Sequence, residues 1–210
     1  IFTRDGIAYV SNGWSENFLI CDISNINDIE VISTIEDGIT GYAHNAWPTD
    51  NNDYLVTTEE TENKTVKIWD IQDLSNINLV GEYLAENGLA HNVHVKESLI
   101  YISHYTTGLR IVDIYDPTYP VEVAGWDTYP QSDEGGYYGC WGAYPYTQNG
   151  YIYATDIQNG LYVFDFIPIY AGWLSGYIFD VQGNPLPLNT KIQSDLDNRK
   201  FFVKENGYIH

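Results

Sequence analysis

Short runs along this chain carry the period of β-strands. Gly6–Ser11 (GIAYVS), Asp53–Glu60 (DYLVTTEE), Ser98–Tyr105 (SLIYISHY) and Gly150–Asp156 (GYIYATD) alternate apolar and polar positions, or run apolar over a strand's length. Each leads to a second β-rich run that ends in aspartate: LICD, VKIWD, LRIVD and LYVFD, closing on Asp22, Asp70, Asp113 and Asp165. Those aspartates are 48, 43 and 52 residues apart. After the first three comes a further strand-like run, Ile29–Ile35, Ile77–Leu84 and Val121–Thr128; ahead of the last three lie Tyr42–Trp47, Leu89–Val95 and Gly142–Tyr146. No stretch sustains a helical period.

Four short strands repeating about every 45 residues is the period of a propeller blade. The expected fold is all-β: a partial β-propeller of four-stranded antiparallel blades, about three and a half to four in number, with a truncated β-sandwich tail. A partial first blade is expected over residues 1–36, complete blades over 37–84 and 85–128, and a fourth over 129–168. Ala90–Asp113 aligns without a gap on Gly142–Asp165, which pairs Gly108 with Gly160 in the chemistry of a tight turn. That frame sets Ala143 and Tyr144 of the fourth blade opposite His91 and Asn92. The chain opens inside a strand-like run, so the remaining blades are expected in a longer precursor.

The motifs LRIVDI and DPTYPVEVAG resemble LVIVD repeats, and the longer run over residues 43–166 is similar to the choice-of-anchor B domain of bacteria. The resemblance implies a secreted or surface propeller and no activity. Gly176–Ile192 (GYIFDVQGNPLPLNTKI) breaks the blade period. It resembles the opening of a carboxypeptidase regulatory-like β-sandwich, with a turn at Gly183–Pro185 and a later strand at Glu205–His210. The division expected is therefore a propeller fragment over 1–171 and the start of that accessory module over 172–210.

Composition narrows the partners. A net charge of −20 with nine Lys plus Arg leaves no cationic surface for nucleic acid or for anionic lipid. No run is apolar enough to span a membrane, so no direct membrane insertion is expected of this segment. Strong acidity suits an extracellular protein, or one that collects cations. Cys21 and Cys140 sit in apolar runs outside any zinc-type spacing and are expected to be buried free thiols in separate blades.

The candidate chemistry starts from a repeated dipeptide. His44-Asn45 and His91-Asn92 stand 47 residues apart at the entrance of successive first strands. By blade topology that end also receives the loop joining second and third strands. It gathers His44, His91, Glu59, Glu60, His104, Tyr105 and Asp156, and the insertion at Thr128–Trp141 adds Asp133, Glu134, Tyr137, Tyr138 and Trp141. Long loops collected on one face of a rigid scaffold are where binding resides. Tyr and Trp faces suit sugar rings or peptide. Oxygen ligands favour calcium and imidazoles a transition metal, and no cofactor is assigned beyond that choice. The same histidines equally suit a structural role, tying one strand's backbone to the next. Residues His91 and His94 are three apart and should face opposite sides, barring a bulge. No nucleophile or hydrolase motif is present, so no catalytic residue is assigned. The expected function is a noncatalytic secreted or cell-surface propeller that binds extracellular protein or glycan. A cation-dependent polysaccharide lyase or hydrolase using the two histidines is the alternative.

Overall fold

The fold is described from a computed structural model. It describes all residues except 87, 133, 173–175, 194–199, 204–207 and 210. The chain divides into two compact units, Ile1–Tyr170 and Ala171–His210.

In the first unit, β1 (Phe2–Arg4), β2 (Ile7–Ser11), β3 (Phe18–Asp22) and β4 (Glu30–Ile35) form one antiparallel sheet in sequence order. Strands β5 (Ala43–Pro48), β6 (Tyr54–Glu59), β7 (Val66–Asp70) and β8 (Asn78–Tyr83) form the next. The third holds β9 (Asn92–Lys96), β10 (Leu99–Ser103), β11 (Leu109–Asp113) and β12 (Val121–Trp126). A three-stranded sheet follows with β13 (Cys140–Tyr144), β14 (Ile152–Asp156) and β15 (Gly160–Phe164). These are propeller blades, and all four aspartate-ending runs are third strands. The first blade differs from expectation: Phe2–Arg4 suffices for a short inner strand, so that sheet is complete with four strands.

Alternation sends each blade's side chains into two interfaces. On β10, Ile100 and Ile102 enter the core shared with the second blade, where they meet Val56, Val66 and Ile68. Their neighbours Leu99 and Tyr101 enter the core shared with the fourth blade, where they meet Cys140, Ile152 and Ala154. A third core joins Phe18 and Ile20 to Leu55 and Trp69. That is why SLIYISHY carries the unbroken apolar stretch LIYI, and why Thr57, Thr58 and Glu59 of DYLVTTEE are buried as well: a strand sandwiched between blades has no solvent face. The outer strand β4 and the third strand β15, by contrast, are exposed at most positions. Both cysteines are buried free thiols in different blades.

The tight β10–β11 turn depends on Gly108. Its φ is 84°, and a Cβ there would lie 2.1 Å from the carbonyl oxygen of Trp126. First strands β5, β9 and β13 pack against one another and form the inner edge of the blade array.

The second unit contains short ladders, β16 (Gly176–Tyr177) with β19 (Tyr208–Ile209) and β17 (Lys191–Gln193) with β18 (Lys200–Phe202). Asp180 opens its turn: one carboxylate oxygen accepts the Gln182 and Asn184 amides at 2.9 and 2.8 Å, and Gly183 takes a φ of 84°. Of the expected strand at 205–210, Tyr208 and Ile209 lie among the described residues.

Candidate functional site

The site is built at the entrance of the first strands. In β5 the ladder pairs Ala43 with Glu59 and Asn45 with Thr58, and His44 is the extra residue of a bulge. In β13 the same irregularity pairs Cys140 with Asp156 and Gly142 with Thr155, which leaves Trp141 as the extra residue. Residue His91, just ahead of β9, donates its backbone N–H to Ser103 at 2.9 Å. These three residues are therefore structural equivalents: His44 and Trp141 are thrown out of the ladder in the way bulges re-aim side chains, and His91 stands at the same place just ahead of the paired Asn92. The gapless alignment placed Ala143 at this position. Trp141 occupies it instead, because the fourth-blade hairpin between the paired Gly142 and Thr155 is two residues longer than the third-blade hairpin between the paired Asn92 and Ser103.

Each of the two imidazoles spends one nitrogen on the neighbouring blade. His44 Nδ1 lies 3.1 Å from the His91 carbonyl oxygen, which also accepts the Thr58 hydroxyl at 2.7 Å. His91 Nδ1 in turn bonds the Trp141 carbonyl oxygen. A carbonyl oxygen can only accept, so both Nδ1 atoms carry the proton. Asn92 Nδ2 also stands 2.9 Å from His91 Nδ1; with that nitrogen protonated, the Asn92 amide must turn over so that its oxygen accepts there. Asn45 adds another cross-blade tie, its Oδ1 accepting the Val93 N–H at 3.1 Å. The repeated His-Asn pair thus stitches second blade to third and third to fourth.

With Nδ1 so engaged, Nε2 of both rings faces one carboxylate. His44 Nε2 is 3.6 Å and His91 Nε2 3.9 Å from the two Glu60 oxygens. The ring centroids are 4.5 Å apart. One donor atom from each of His44, His91 and Glu60 lies within 4.8 Å of the other two. The Tyr105 hydroxyl donates to Glu60, and burial together with that carboxylate pushes the Tyr105 phenol well above its usual range, so it stays a donor. The Tyr105 backbone takes a left-handed φ of 41°, held by reciprocal bonds with Cys140 at 3.2 and 2.9 Å. Gly139 permits this approach: a Cβ there would sit 2.4 Å from the Tyr105 carbonyl oxygen. Burial draws the His91 imidazole below its ordinary pKa; the Trp141 carbonyl acts the other way, the His44 ring adds to the depression, and Glu60 opposes it.

The remaining predicted residues divide. Glu59, adjacent to Glu60, is buried in an ion pair with Lys67, and its other oxygen accepts the Thr40 N–H at 2.8 Å. His104 is buried against its own turn, 2.9 Å from the Thr107 hydroxyl, with a pKa lowered by burial to about 4. Asp156 is buried too, and one of its oxygens accepts the Gln158 and Asn159 amides. These three end second strands at equivalent positions and serve the blade interior, not the cluster. Tyr137 packs edge-on against Tyr105 at 5.4 Å, while Tyr138 stacks with Tyr129 at 5.9 Å. Glu134 is exposed, and Asp133 lies outside the described residues.

Two participants escaped the sequence reading. The Tyr42 ring lies 5.9 Å from His44, and Trp14 meets Tyr42 edge-on at 4.9 Å. Tyr42 opens the same run, YAHNAW, that carries His44, so its nearness in sequence was the available signal. Trp14 sits in the β2–β3 loop, the first-blade counterpart of the loop that follows Glu60. The result is a chain of rings through all four blades: Trp14, Tyr42, His44, His91 and Trp141, with His91 and Trp141 at 4.2 Å. Trp141 approaches Tyr105 at 6.0 Å, which links the chain to Tyr137. Trp14, Tyr137 and Trp141 are 78%, 58% and 47% exposed, which leaves their faces open to a ligand.

Residues 87–128 match the LVIVD repeat, a match confined to the third blade. No functionally curated protein matches the chain in sequence. Among solved structures, it is similar to a 6-phosphogluconolactonase-like protein of Bacteroides uniformis, with TM-score 0.64 and 11% identity, over 100% of this chain and 67% of that one. Another such protein, from Bacteroides fragilis, gives TM-score 0.59 at 11% identity over the same shares. A functionally unknown protein of Desulfotomaculum acetoxidans gives TM-score 0.55 at 13% identity, over 97% of this chain and 68% of that one. The chain thus spans about two thirds of these neighbours, and at such identities the likeness establishes the multi-blade fold alone.

Proposed function

We propose that this chain is a noncatalytic propeller module of a secreted or cell-surface protein, and that the ring arc at its strand entrances binds extracellular glycan. The observation that carries the reading is the unbroken run of rings from Trp14 to Trp141, with the two tryptophans at its ends exposed. Pyranose rings stack their C–H faces on such surfaces, and extended polymers suit a row of platforms better than one pocket. A protein partner is the other occupant of the same chemistry. A charge of −20 disfavours nucleic acid, and no helix among the described residues is long and apolar enough to cross a membrane. On this reading the blades are of the choice-of-anchor B type, and the second unit opens an accessory module of the carboxypeptidase regulatory-like kind.

The test is a glycan array followed by calorimetry, with wild type beside a Trp14→Ala, Trp141→Ala double variant. Binding that falls at least about tenfold in the variant at unchanged melting temperature supports the reading. Absence of glycan binding, or binding indifferent to both tryptophans, refutes it. A second reading, a cation-dependent lyase or hydrolase of polysaccharide, has its own observation in the two Nε2 atoms that face Glu60. Release of unsaturated or reducing ends from a polysaccharide panel, abolished by His44→Gln, would favour it.

A further inference from the structure

We propose that His44, His91 and Glu60 bind a divalent transition ion of the zinc class, through Nε2 of each imidazole and the carboxylate. The inference goes beyond the glycan reading and stands whether or not the ring arc binds sugar.

Ligand geometry comes first. Donor atoms around a tetrahedral zinc, each about 2.0–2.1 Å from the metal, lie about 3.3 Å from one another. Here His44 Nε2 is 3.6 Å from one Glu60 oxygen and His91 Nε2 3.9 Å from the other, and one donor atom of each residue lies within 4.8 Å of the other two. These distances exceed a hydrogen bond, so the carboxylate is not donated to by either Nε2–H.

Tautomer and support come second. A metal-binding imidazole needs a bare nitrogen on the metal side and a fixed N–H on the other. Both rings meet this condition, with Nδ1–H on the His91 and Trp141 carbonyl oxygens. The first of these carbonyls belongs to the second ligand, so the His91 backbone orients the His44 ring while its own ring is oriented by the fourth blade. The carboxylate is supported as well, by the Tyr105 hydroxyl. Three donors, each with an outer partner, form a more complete shell than a chance surface cluster has.

Ion class comes third. Two imidazoles and one carboxylate suit zinc, cobalt or nickel, whereas calcium takes six to eight oxygens. The carboxylate and imidazole expectation from sequence left calcium and a transition metal both open. The donors that converge carry two nitrogens, which favours the second. The His44 and Glu60 side chains are 24% and 15% exposed, so water reaches the remaining coordination position.

The test uses the full 210-residue chain freed of metal by chelator. Calorimetric titration with zinc chloride is expected to give a single site, and calcium chloride to give none. Cobalt(II) is expected to produce visible bands of a four- or five-coordinate ion, and its proton NMR spectrum two exchangeable, strongly shifted imidazole N–H signals, one from each Nδ1. His44→Gln and Glu60→Gln should each weaken zinc at least about 100-fold, with metal-free melting checked by circular dichroism. Zinc binding that survives both substitutions overturns the proposal, as does the absence of zinc heat from wild type. Calcium heat without zinc heat overturns the ion class. The shifted N–H signals come from wild type, so a variant that fails to fold leaves the proposal open to refutation by their absence.

Discussion

Two histidines three residues apart, on and just before one strand, meet opposite environments. At the strand entrance His91 gives Nδ1 to a backbone carbonyl and turns Nε2 toward Glu60. Farther along β9, His94 packs its ring 4.4 Å from Trp47 and edge-on to Tyr144 and Tyr146, and its buried Nδ1 has no hydrogen-bond partner among the described residues. No carboxylate among the described residues forms an ion pair with it. Burial alone lowers His94 to about 4, whereas at His91 a carbonyl and a carboxylate oppose that pull. The residue type is shared; what makes one end a candidate site is how its partners divide the two ring nitrogens. The other end is packing.

The difference predicts unequal costs. Trp47 carries the packing end, stacked on Tyr146 and tilted against Phe2 at 4.2 Å. Trp47→Ala should destabilise by about 3–5 kcal/mol in urea denaturation, since it empties a ring-lined site. His44→Ala, a part-exposed ring with one tether, should cost about 1 kcal/mol. The reverse order would make the entrance the structural end and break the comparison.

Acid should act next. An imidazole whose folded pKa lies near 4, against about 6.5 unfolded, favours the neutral form in the native state. Between those values the unfolded chain binds the extra proton, so stability is whole above pH 6.5 and falls as pH drops toward 4. Fully shifted, the group contributes about 3 kcal/mol across that window, and the buried His104 behaves the same way. His94→Phe should flatten part of the stability–pH slope while leaving entrance chemistry intact. An unchanged slope would show that His94 is hydrated, not packed.

Much of the fold was legible because repetition and alternation are properties of sequence. Third strands were fixed by their aspartates, and second strands by the alternating runs that precede them; that β6 and β10 are buried on both faces was not legible in that alternation. Register was less legible. The offset of 52 is correct for β10 and β14, yet two extra residues in the β13–β14 hairpin put Trp141, not Ala143, at the His91 position. The shared place of His44 and His91 followed from the repeat. Which glutamate faces them did not: Glu59 and Glu60 are adjacent, and Lys67, eight residues on across the β6–β7 hairpin, with the Thr40 N–H claims the first for the interior.

The smallest expected effect isolates the entrance most cleanly. Glu60→Gln removes a charge and keeps an amide oxygen that can accept the Tyr105 hydroxyl, the one hydrogen bond this carboxylate makes to a described side chain. The two imidazoles lie beyond hydrogen-bond distance of Glu60, so they lose attraction but no bond. Metal-free stability should therefore change by less than about 0.5 kcal/mol, the range of a substitution that opens no cavity and orphans no buried group. Zinc at about a hundredfold over its dissociation constant should stabilise wild type by about 2.7 kcal/mol by mass action, because the unfolded chain has no assembled site. The variant should lose that increment. Thermal melts with and without zinc measure both numbers in one series. A large metal-free loss would mean that Glu60 belongs with Trp47, as packing; a zinc increment retained in the variant would move the metal away from the entrance.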